Sequence, residues 1–103
     1  MALQLRPNCE YCDKDLPPNS AEARICSYEC TFCADCVENK LHNVCPNCGG
    51  GFVPRPIRPA RRWKGDNFLG NYPASTMVRH RPVDVAAHDA FAASLRAVPP
   101  AER

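Results

Sequence analysis

The chain has 103 residues, of which 11 are proline and only 8% are aromatic, so one small domain with extensions is expected rather than a conventional apolar core throughout. Its formal charge of +2 is unevenly divided, because residues 1–48 carry four basic and seven acidic side chains and residues 49–103 carry nine and four. No apolar run approaches the length that spans a bilayer, so we expect a soluble chain without a membrane partner.

The first half of the chain contains short candidate elements. Leu3-Gln4-Leu5 alternates like a short strand, and residues 23–26 form a second candidate strand. Between residues 34 and 41, Val37 and Leu41 lie four positions apart, which predicts a short helix with one apolar face. The sequence therefore predicts a small α+β unit over residues 1–53.

The second half is predicted to be mostly irregular. Residues 54–66 are a basic linker rich in proline and arginine, and residues 67–103 form an extension. Asp84 is a candidate cap for a helix over about residues 84–97, with Phe91 and Leu95 on its apolar face together with Ala87. This helix either docks on the first half, the preferred interpretation, or is offered to a partner.

All the cysteines lie in close pairs within residues 9–48. The pairs are Cys9 and Cys12, Cys26 and Cys30, Cys33 and Cys36, and Cys45 and Cys48. A tight turn can place both sulfurs of a pair on one ion, and two such turns complete a tetrahedral four-thiolate shell. Eight thiols therefore predict two ions per chain, with zinc (Zn²⁺) as the default metal.

Disulfides are the structural alternative, and they require an oxidising compartment. Residues 1–10 have no basic start followed by an apolar run, so no secretory signal is expected. Reduced thiols and a cytoplasmic location follow as the expectation. A structural zinc site supplies roughly 10 to 16 kcal/mol of apparent binding energy, which becomes folding energy in so small a domain.

The four pairs could share ions in two ways. If neighbouring pairs joined, the chain would hold two independent sites in series; if the first joined the third and the second joined the fourth, the sites would interlock. Only two residues separate Cys30 from Cys33. Sending these adjacent pairs to distant partners avoids crowding of four sulfurs on one turn, which favours the interlocked arrangement.

The cysteine order, with Tyr11, Phe32 and Pro46 beside ligand positions, resembles the RING finger family, whose fold is a two-zinc cross-brace. The resemblance implies a RING-like or treble-clef domain, stabilised by metal, with an irregular C-terminal extension carrying one short helix. It also implies the division of the ligands. Site one would comprise Cys9, Cys12, Cys33 and Cys36, and site two would comprise Cys26, Cys30, Cys45 and Cys48.

Residues 1–59, including the segments CTFCADCVE, VCPNCGG and FVPRPIRP, also resemble a family of small bacterial cysteine-rich proteins whose function is unassigned. Three features depart from ligase-type RING fingers. Cys30 stands where most have histidine, no tryptophan follows Cys36, and Gly49 stands where a basic residue would follow the last ligand. The RING architecture is therefore expected to carry over, whereas ligase activity is not.

Complete four-thiolate shells leave no open position for water, so the cysteines are expected to be structural and the chain is not expected to be an enzyme or to take a small-molecule substrate. The leading interpretation is an interaction module for a protein or nucleic-acid partner. A RING-type recruiter of a ubiquitin-conjugating enzyme is the alternative, and metal storage or sensing is a third.

The candidate partner-binding residues lie beside the metal turns and in the linker. They are Tyr11, Pro46, Arg55, Arg58, Arg61, Arg62, Trp63 and Lys64. The basic linker either grips nucleic-acid phosphates with Trp63 stacked on a base, or folds back on the acidic first half with Trp63 over apolar surface, which is preferred. His42, His80 and His88 are expected at the surface.

Overall fold

A three-stranded antiparallel sheet lies at the centre of the computed structural model, which describes residues 2–103. Its strands are β1 (Ala23–Ile25), β2 (Thr31–Cys33) and β3 (Val53–Pro54), in the order β2-β1-β3. Ile25 lies opposite Thr31 on one side and opposite Val53 on the other. The sheet thus brings the segments around residues 24, 32 and 54 side by side. Together with the helices described in the next paragraphs, it makes the small α+β fold that the sequence predicts.

The predicted strand at residues 23–26 is confirmed, with its end at Ile25. Ala23 and Ile25 are buried while Arg24 between them is half-buried, which is the alternation of a strand with one covered face. The predicted strand at Leu3-Gln4-Leu5 is wrong. Leu5 is buried, but the backbone of this segment pairs with no strand among the described residues: the Leu5 carbonyl accepts from the Ser75 amide at 2.9 Å, and the Gln4 amide donates to the Glu29 side chain at 3.2 Å.

The predicted helix at residues 34–41 is confirmed in position and in its buried face. It begins as a short α-helical turn, α1 (Ala34–Cys36), and continues as a π-helix (Val37–Leu41). Val37 is 6% exposed and Leu41 is fully buried. His42 and the next residue, both with positive φ, end the helix and turn the chain away.

Cysteine makes up more than half of the core. The contiguous buried cluster has eleven members, of which the six cysteines are Cys9, Cys26, Cys30, Cys33, Cys36 and Cys45. The largest carbon side chain among them is Phe32, whose ring meets the edge of the Phe52 ring at 5.5 Å. Because the cluster contains so few aliphatic and aromatic side chains, their burial alone cannot offset the conformational entropy lost on folding. The cysteine sulfurs therefore have to supply part of the stability.

Helix α2 (Val85–Ala92) docks on the π-helix, as preferred from the sequence. The Asp84 side chain caps it by accepting a hydrogen bond from the Ala87 amide at 3.2 Å, as predicted. The predicted apolar face is wrong by one position, because His88 and Ala92 are the buried residues while Phe91 is 47% exposed.

The placement of His88 at the surface is also wrong. Its side chain is 4% exposed, and Nε2 donates a hydrogen bond to the Leu41 carbonyl at 3.0 Å. The two helices also meet at the neighbouring residues: Nε2 of His42, which follows the π-helix, lies 3.7 Å from the carboxylate of Asp89 in α2. The Leu41 carbonyl at the end of the π-helix thus has its donor on a residue 47 positions away, which the sequence pattern does not reveal.

The C-terminus closes over the last cysteine turn. Gly49 has a φ of +79°, and a side chain there would meet Phe91 and Leu95 at 3.4 and 3.5 Å. After a short 3₁₀ helix (Pro100–Glu102), the Arg103 guanidinium donates hydrogen bonds to the carbonyls of Asn43 and Gly49. These contacts tie the end of the chain to the turn that carries Cys45 and Cys48.

Residues 55–84 contain neither helix nor strand, as predicted, and they lie along the N-terminal segment. The Asn8 side chain donates to the Arg79 carbonyl at 2.8 Å and accepts from the Arg79 amide at 3.4 Å. The Arg81 amide donates to the Glu10 carbonyl at 2.8 Å. In the part of the chain that the structure describes, no helix combines the length and apolar character needed to cross a membrane.

Arg55 holds this arrangement together from the inside. It follows β3, and its amide donates to the Ala23 carbonyl at 2.9 Å. The side chain is 4% exposed, and its guanidinium donates to the carbonyls of Arg6, Leu16 and Pro17 at 2.8, 3.2 and 2.9 Å. Burial lowers the pKa of the guanidinium.

We expect Arg55→Met to be strongly destabilising, because it keeps most of the side-chain volume but leaves three carbonyls without their donor. The expected loss is about 2 to 4 kcal/mol, read as a lower thermal unfolding midpoint at a fixed excess of zinc. Arg61→Met is the matched control, since Arg61 is exposed. Equal midpoints for the two variants would contradict the role given to Arg55.

Candidate metal centre

The first and last cysteine pairs lie on turns of the same shape. The Asp13 amide donates to the Cys9 carbonyl at 2.9 Å, and the Gly49 amide donates to the Cys45 carbonyl at 2.8 Å. The residue that closes each turn has a positive φ, 64° for Asp13 and 79° for Gly49. Glycine adopts this conformation freely and aspartate more readily than most residues, which explains why each can follow the second cysteine of its pair.

Backbone amides point at the sulfurs of the second cluster. The amides of Tyr28, Asn47 and Gly50 each donate to a sulfur at 3.4 Å, those of Cys26, Cys45 and Cys48 respectively. Each donor follows its cysteine by two residues, so the turn itself sets the contact. Such donors stabilise the thiolate form that binds metal.

Four sulfurs converge in the first cluster. The Sγ atoms of Cys9, Cys12, Cys33 and Cys36 all lie within 4.8 Å of one another, and those of Cys12 and Cys33 are 3.7 Å apart. A zinc–sulfur bond of about 2.3 Å in a tetrahedron requires sulfurs about 3.8 Å apart. The donor type, the number of donors and this separation therefore fit a zinc ion whose tetrahedral coordination shell is completed by four thiolates.

Three sulfurs converge in the second cluster, those of Cys26, Cys45 and Cys48. Cys30, the fourth ligand predicted for this site, is not within 4.8 Å of all three. Its buried sulfur nevertheless interacts with Cys26 and accepts a hydrogen bond from the Asn47 side chain at 3.4 Å. The described residues thus contain two cysteine clusters that could hold metal, one with four members and one with three.

The clusters interleave along the chain, since the first pair meets the third and Cys26 of the second pair meets the fourth. The short sheet explains this. Cys26 follows β1 and Cys33 ends β2, so the hairpin sends these two cysteines to opposite clusters. The Glu10 amide donates to the Thr31 carbonyl at 3.0 Å, which holds the first cysteine turn beside β2.

A buried ion pair strengthens that junction. Arg6 and Glu10 are 7% and 3% exposed, and their side chains meet at 2.8 Å. The same carboxylate oxygen of Glu10 accepts the Thr31 amide at 2.8 Å. Sequence reasoning missed both residues, because charged side chains such as Arg6 before the turn and Glu10 inside it usually face solvent.

Burial raises the pKa values of four of these thiols, those of Cys9, Cys30, Cys36 and Cys45. Cys12 differs. Burial acts to raise its pKa, but hydrogen bonds from the Lys14 amide and from neighbouring thiols outweigh this effect and lower it. The four thiols with raised pKa values are therefore neutral at pH 7, and a metal ion that binds them displaces their protons.

Among the candidate partner-binding residues, Tyr11 and Pro46 are half-buried beside the metal turns. The Tyr11 carbonyl accepts a hydrogen bond from His80 Nε2 at 3.2 Å. Arg55 lies inside the fold, and the Arg58 guanidinium donates to the carbonyls of Leu3 and Tyr72. The donors of these two arginines are thus engaged within the chain.

The remaining candidates, Arg61, Arg62, Trp63 and Lys64, are all exposed and consecutive; we refer to them as the basic-aromatic loop. Trp63 is 77% exposed, so the preferred expectation that it covers apolar surface is wrong. The structure therefore separates the eight candidates into residues held by the fold and one continuous exposed group.

The family match covers the part of the chain that contains both cysteine clusters. Residues 2–58 match the family described as "Protein of unknown function (DUF1272)". The chain belongs to this family. A relative from Rhizobium meliloti (strain 1021), "Uncharacterized protein R02474", is 61% identical over 74 residues, which cover 72% of this chain and 81% of that protein. No solved structure matches the chain.

The interleaving predicts how many metal ions survive grouped cysteine replacements. Replacing Cys9, Cys12, Cys33 and Cys36 by serine removes one whole cluster, and we expect one zinc to remain, counted by native mass spectrometry. Replacing the first two pairs instead, 9, 12, 26 and 30, removes two sulfurs from the first cluster and, from the second, Cys26 together with the neighbouring Cys30, and we expect no tightly held zinc. The reverse result would show sites in series, and cobalt(II) thiolate absorption gives an independent count.

Zinc affinity is expected to fall steeply as the pH falls. Burial raises the pKa values of two thiols at each site, Cys9 and Cys36 at one and Cys30 and Cys45 at the other, so the protonated thiol is the competing form and lower pH favours it over the metal-bound thiolate. At least these two protons are displaced per site, so affinity should drop by about two decades or more per pH unit below neutrality. Zinc competition against a chromophoric chelator between pH 6 and 8 measures the slope, and a slope near zero would exclude ligation by these thiols.

Proposed function

We propose that the chain is a non-enzymatic interaction module in which two zinc ions, held by interleaved cysteine sites, fix a surface for a macromolecular partner. Cys30 completes the second site when metal binds, because its sulfur is already beside Cys26. The fold is then a two-zinc cross-brace of RING-like or treble-clef type. Zinc in these sites supplies folding energy, and a cytoplasmic setting keeps the thiols reduced.

The ligand shells support binding rather than catalysis. A catalytic zinc keeps one coordination position for water or substrate, whereas four thiolates fill a tetrahedron. The four sulfurs of the first cluster lie within 4.8 Å of one another, close enough to share one ion, and three of the four cysteines are buried. We therefore assign the cysteines to the scaffold and place the function at the surface.

One observation carries this proposal: the C-terminal half packs over the cysteine turns and leaves the basic-aromatic loop in solvent. His80 and Arg81 contact the backbone of residues 10 and 11, and Phe91 and Leu95 pack over Gly49. A RING-type recruiter needs the surface between the first and last metal turns for the conjugating enzyme. The extension contacts both of these turns, at residues 10 and 11 and at Gly49, which favours the interaction module over that alternative.

Storage or sensing of metal would require labile ions, which gives a direct test of the scaffold role. We expect both zinc ions to leave slowly in excess chelator at pH 7.5, with loss of metal and loss of folded structure by circular dichroism at the same rate. Fast loss of both ions from a chain that stays folded would favour storage or sensing instead.

If the chain is an interaction module that binds through the basic-aromatic loop, replacing side chains of this loop should prevent partner binding. Affinity capture from the native host compares the wild type with Arg61→Ala/Arg62→Ala/Trp63→Ala. The matched control is Tyr28→Ala/Lys40→Ala/Arg96→Ala, which removes one exposed aromatic and two exposed basic side chains elsewhere. We expect specific partners to be depleted by at least tenfold only in the loop variant. Identical captured sets for all three proteins would contradict the role of the loop.

A further inference from the structure

The basic-aromatic loop presents one indole and several cations without covering them. Trp63 is 77% exposed. Arg61 and Lys64 on either side of it are exposed, and neither forms an ion pair with any of the described residues. A tryptophan left in water beside unpaired cations gives no stability to the fold, so its environment points to a ligand.

The loop has a defined shape. The Arg62 guanidinium contacts the Asp66 carboxylate at 2.7 Å and lies 4.9 Å from the centre of the Phe68 ring. The Asn67 side chain donates to the Lys64 carbonyl at 3.1 Å. These local contacts close the loop on itself, so that a ligand meets a surface that is already formed and loses less free energy to loop ordering.

A cavity of about 370 Å³ lies beside Asn67 and Phe68, the two residues that contact Lys64 and Arg62 of the loop. It is lined by Ala2, Arg58, Pro59, Asn67, Phe68 and Tyr72. The Arg58 guanidinium bridges the carbonyls of Leu3 and Tyr72 and so fixes the wall on that side. The lining combines two aromatic rings with one exposed amide side chain, and its size lies within the range of small-ligand sites.

We propose that this loop and cavity form a binding site for single-stranded nucleic acid, an inference that rests on the proposed function and names its partner. Trp63 stacks on one base, and the cavity beside Phe68 and Tyr72 receives a neighbouring base. Arg61 and Lys64 contact the phosphates between them. Every base has a flat aromatic face, so this site reads little sequence.

Charge and shape favour a single strand over other partners. An acidic peptide would satisfy the cations but would not need an exposed indole or an aromatic cavity. Duplex DNA offers phosphates, but its bases are stacked on one another and are not available to Trp63. The acidic first half of the chain repels the rest of the polyanion, so contact is confined to the loop and the affinity is modest.

The decisive experiment uses the tryptophan itself, because Trp63 is the single tryptophan of the chain. Full-length, zinc-loaded protein is titrated with oligo(dT) and oligo(rU) of about ten nucleotides, a length within the usual site size. We expect quenching of the Trp63 emission that saturates with a Kd of about 10⁻⁶ to 10⁻⁴ M in 50 mM salt. A duplex of the same length should bind at least tenfold more weakly.

Variants separate stacking from phosphate contact, with anisotropy of labelled oligo(dT) as the readout. Trp63→Ala should weaken binding by about tenfold or more and leave the salt dependence unchanged. Arg61→Ala/Lys64→Ala should weaken binding and reduce the slope of log K against log salt by about 1.4. Tyr28→Ala, which removes another exposed aromatic ring, should bind as the wild type does. Zinc content of each variant verifies that it is folded.

Three results would overturn the inference: no saturable quenching up to 1 mM oligonucleotide, duplex binding as tight as single-strand binding, or unchanged affinity of Trp63→Ala. Capture from nuclease-treated extract distinguishes this failure from failure of the proposed function. Suppose that no oligonucleotide binds, but that a partner protein is captured from nuclease-treated extract only when the loop is intact. This outcome would reject nucleic acid as the ligand and would still support the interaction module. Absence of both kinds of binding removes both proposals.

Discussion

Convergence of sulfur atoms from distant turns is the constraint on which the rest of this structure depends. Cys12 and Cys33 are 21 residues apart in sequence but 3.7 Å apart between their sulfurs. The sheet that brings them together has strands of only two or three residues, which would be marginal in isolation. A bound metal would stabilise both turns at once, and the interleaved order means that neither cluster can form without fixing much of the other.

Buried polar groups then connect the cysteine turns to the remainder of the chain. Glu10 joins the first turn to β2, and Arg55 joins the segment after β3 to carbonyls near the N-terminus. His88 and Arg103 do the same for the C-terminal segment by binding carbonyls near the end of the π-helix. Glu10 accepts a main-chain amide, and Arg55, His88 and Arg103 donate to main-chain carbonyls, so the extension is an integral part of the fold.

This division of the chain shapes the functional proposals. The sulfurs and most of the buried charges serve the interior. In the basic-aromatic loop, Arg62 contacts Asp66 and Phe68 locally, while Arg61, Lys64 and the indole of Trp63 extend into solvent. A rigid scaffold with its recognition groups on one exposed loop is a common arrangement for binding proteins, because the loop can vary without loss of stability. The domain boundaries predicted at residues 53/54 and 66/67 stay predictions. Strand β3 spans the first of them, and Arg55, directly after it, donates a hydrogen bond to the Arg6 carbonyl.

The sequence by itself determined the local features, because they depend on neighbours only: the cysteine turns, the helix with Val37 and Leu41 on one face, and the Asp84 cap. Only the tertiary structure decided which cysteine turns meet, that His88 rather than Phe91 faces inward, and that Arg55 lies inside while Arg61 lies outside. Each of these depends on carbonyls or sulfurs supplied by residues far away in the chain. Arg55 and Arg61 stand in the same proline-rich basic run, and only the carbonyls of Arg6, Leu16 and Pro17 distinguish them.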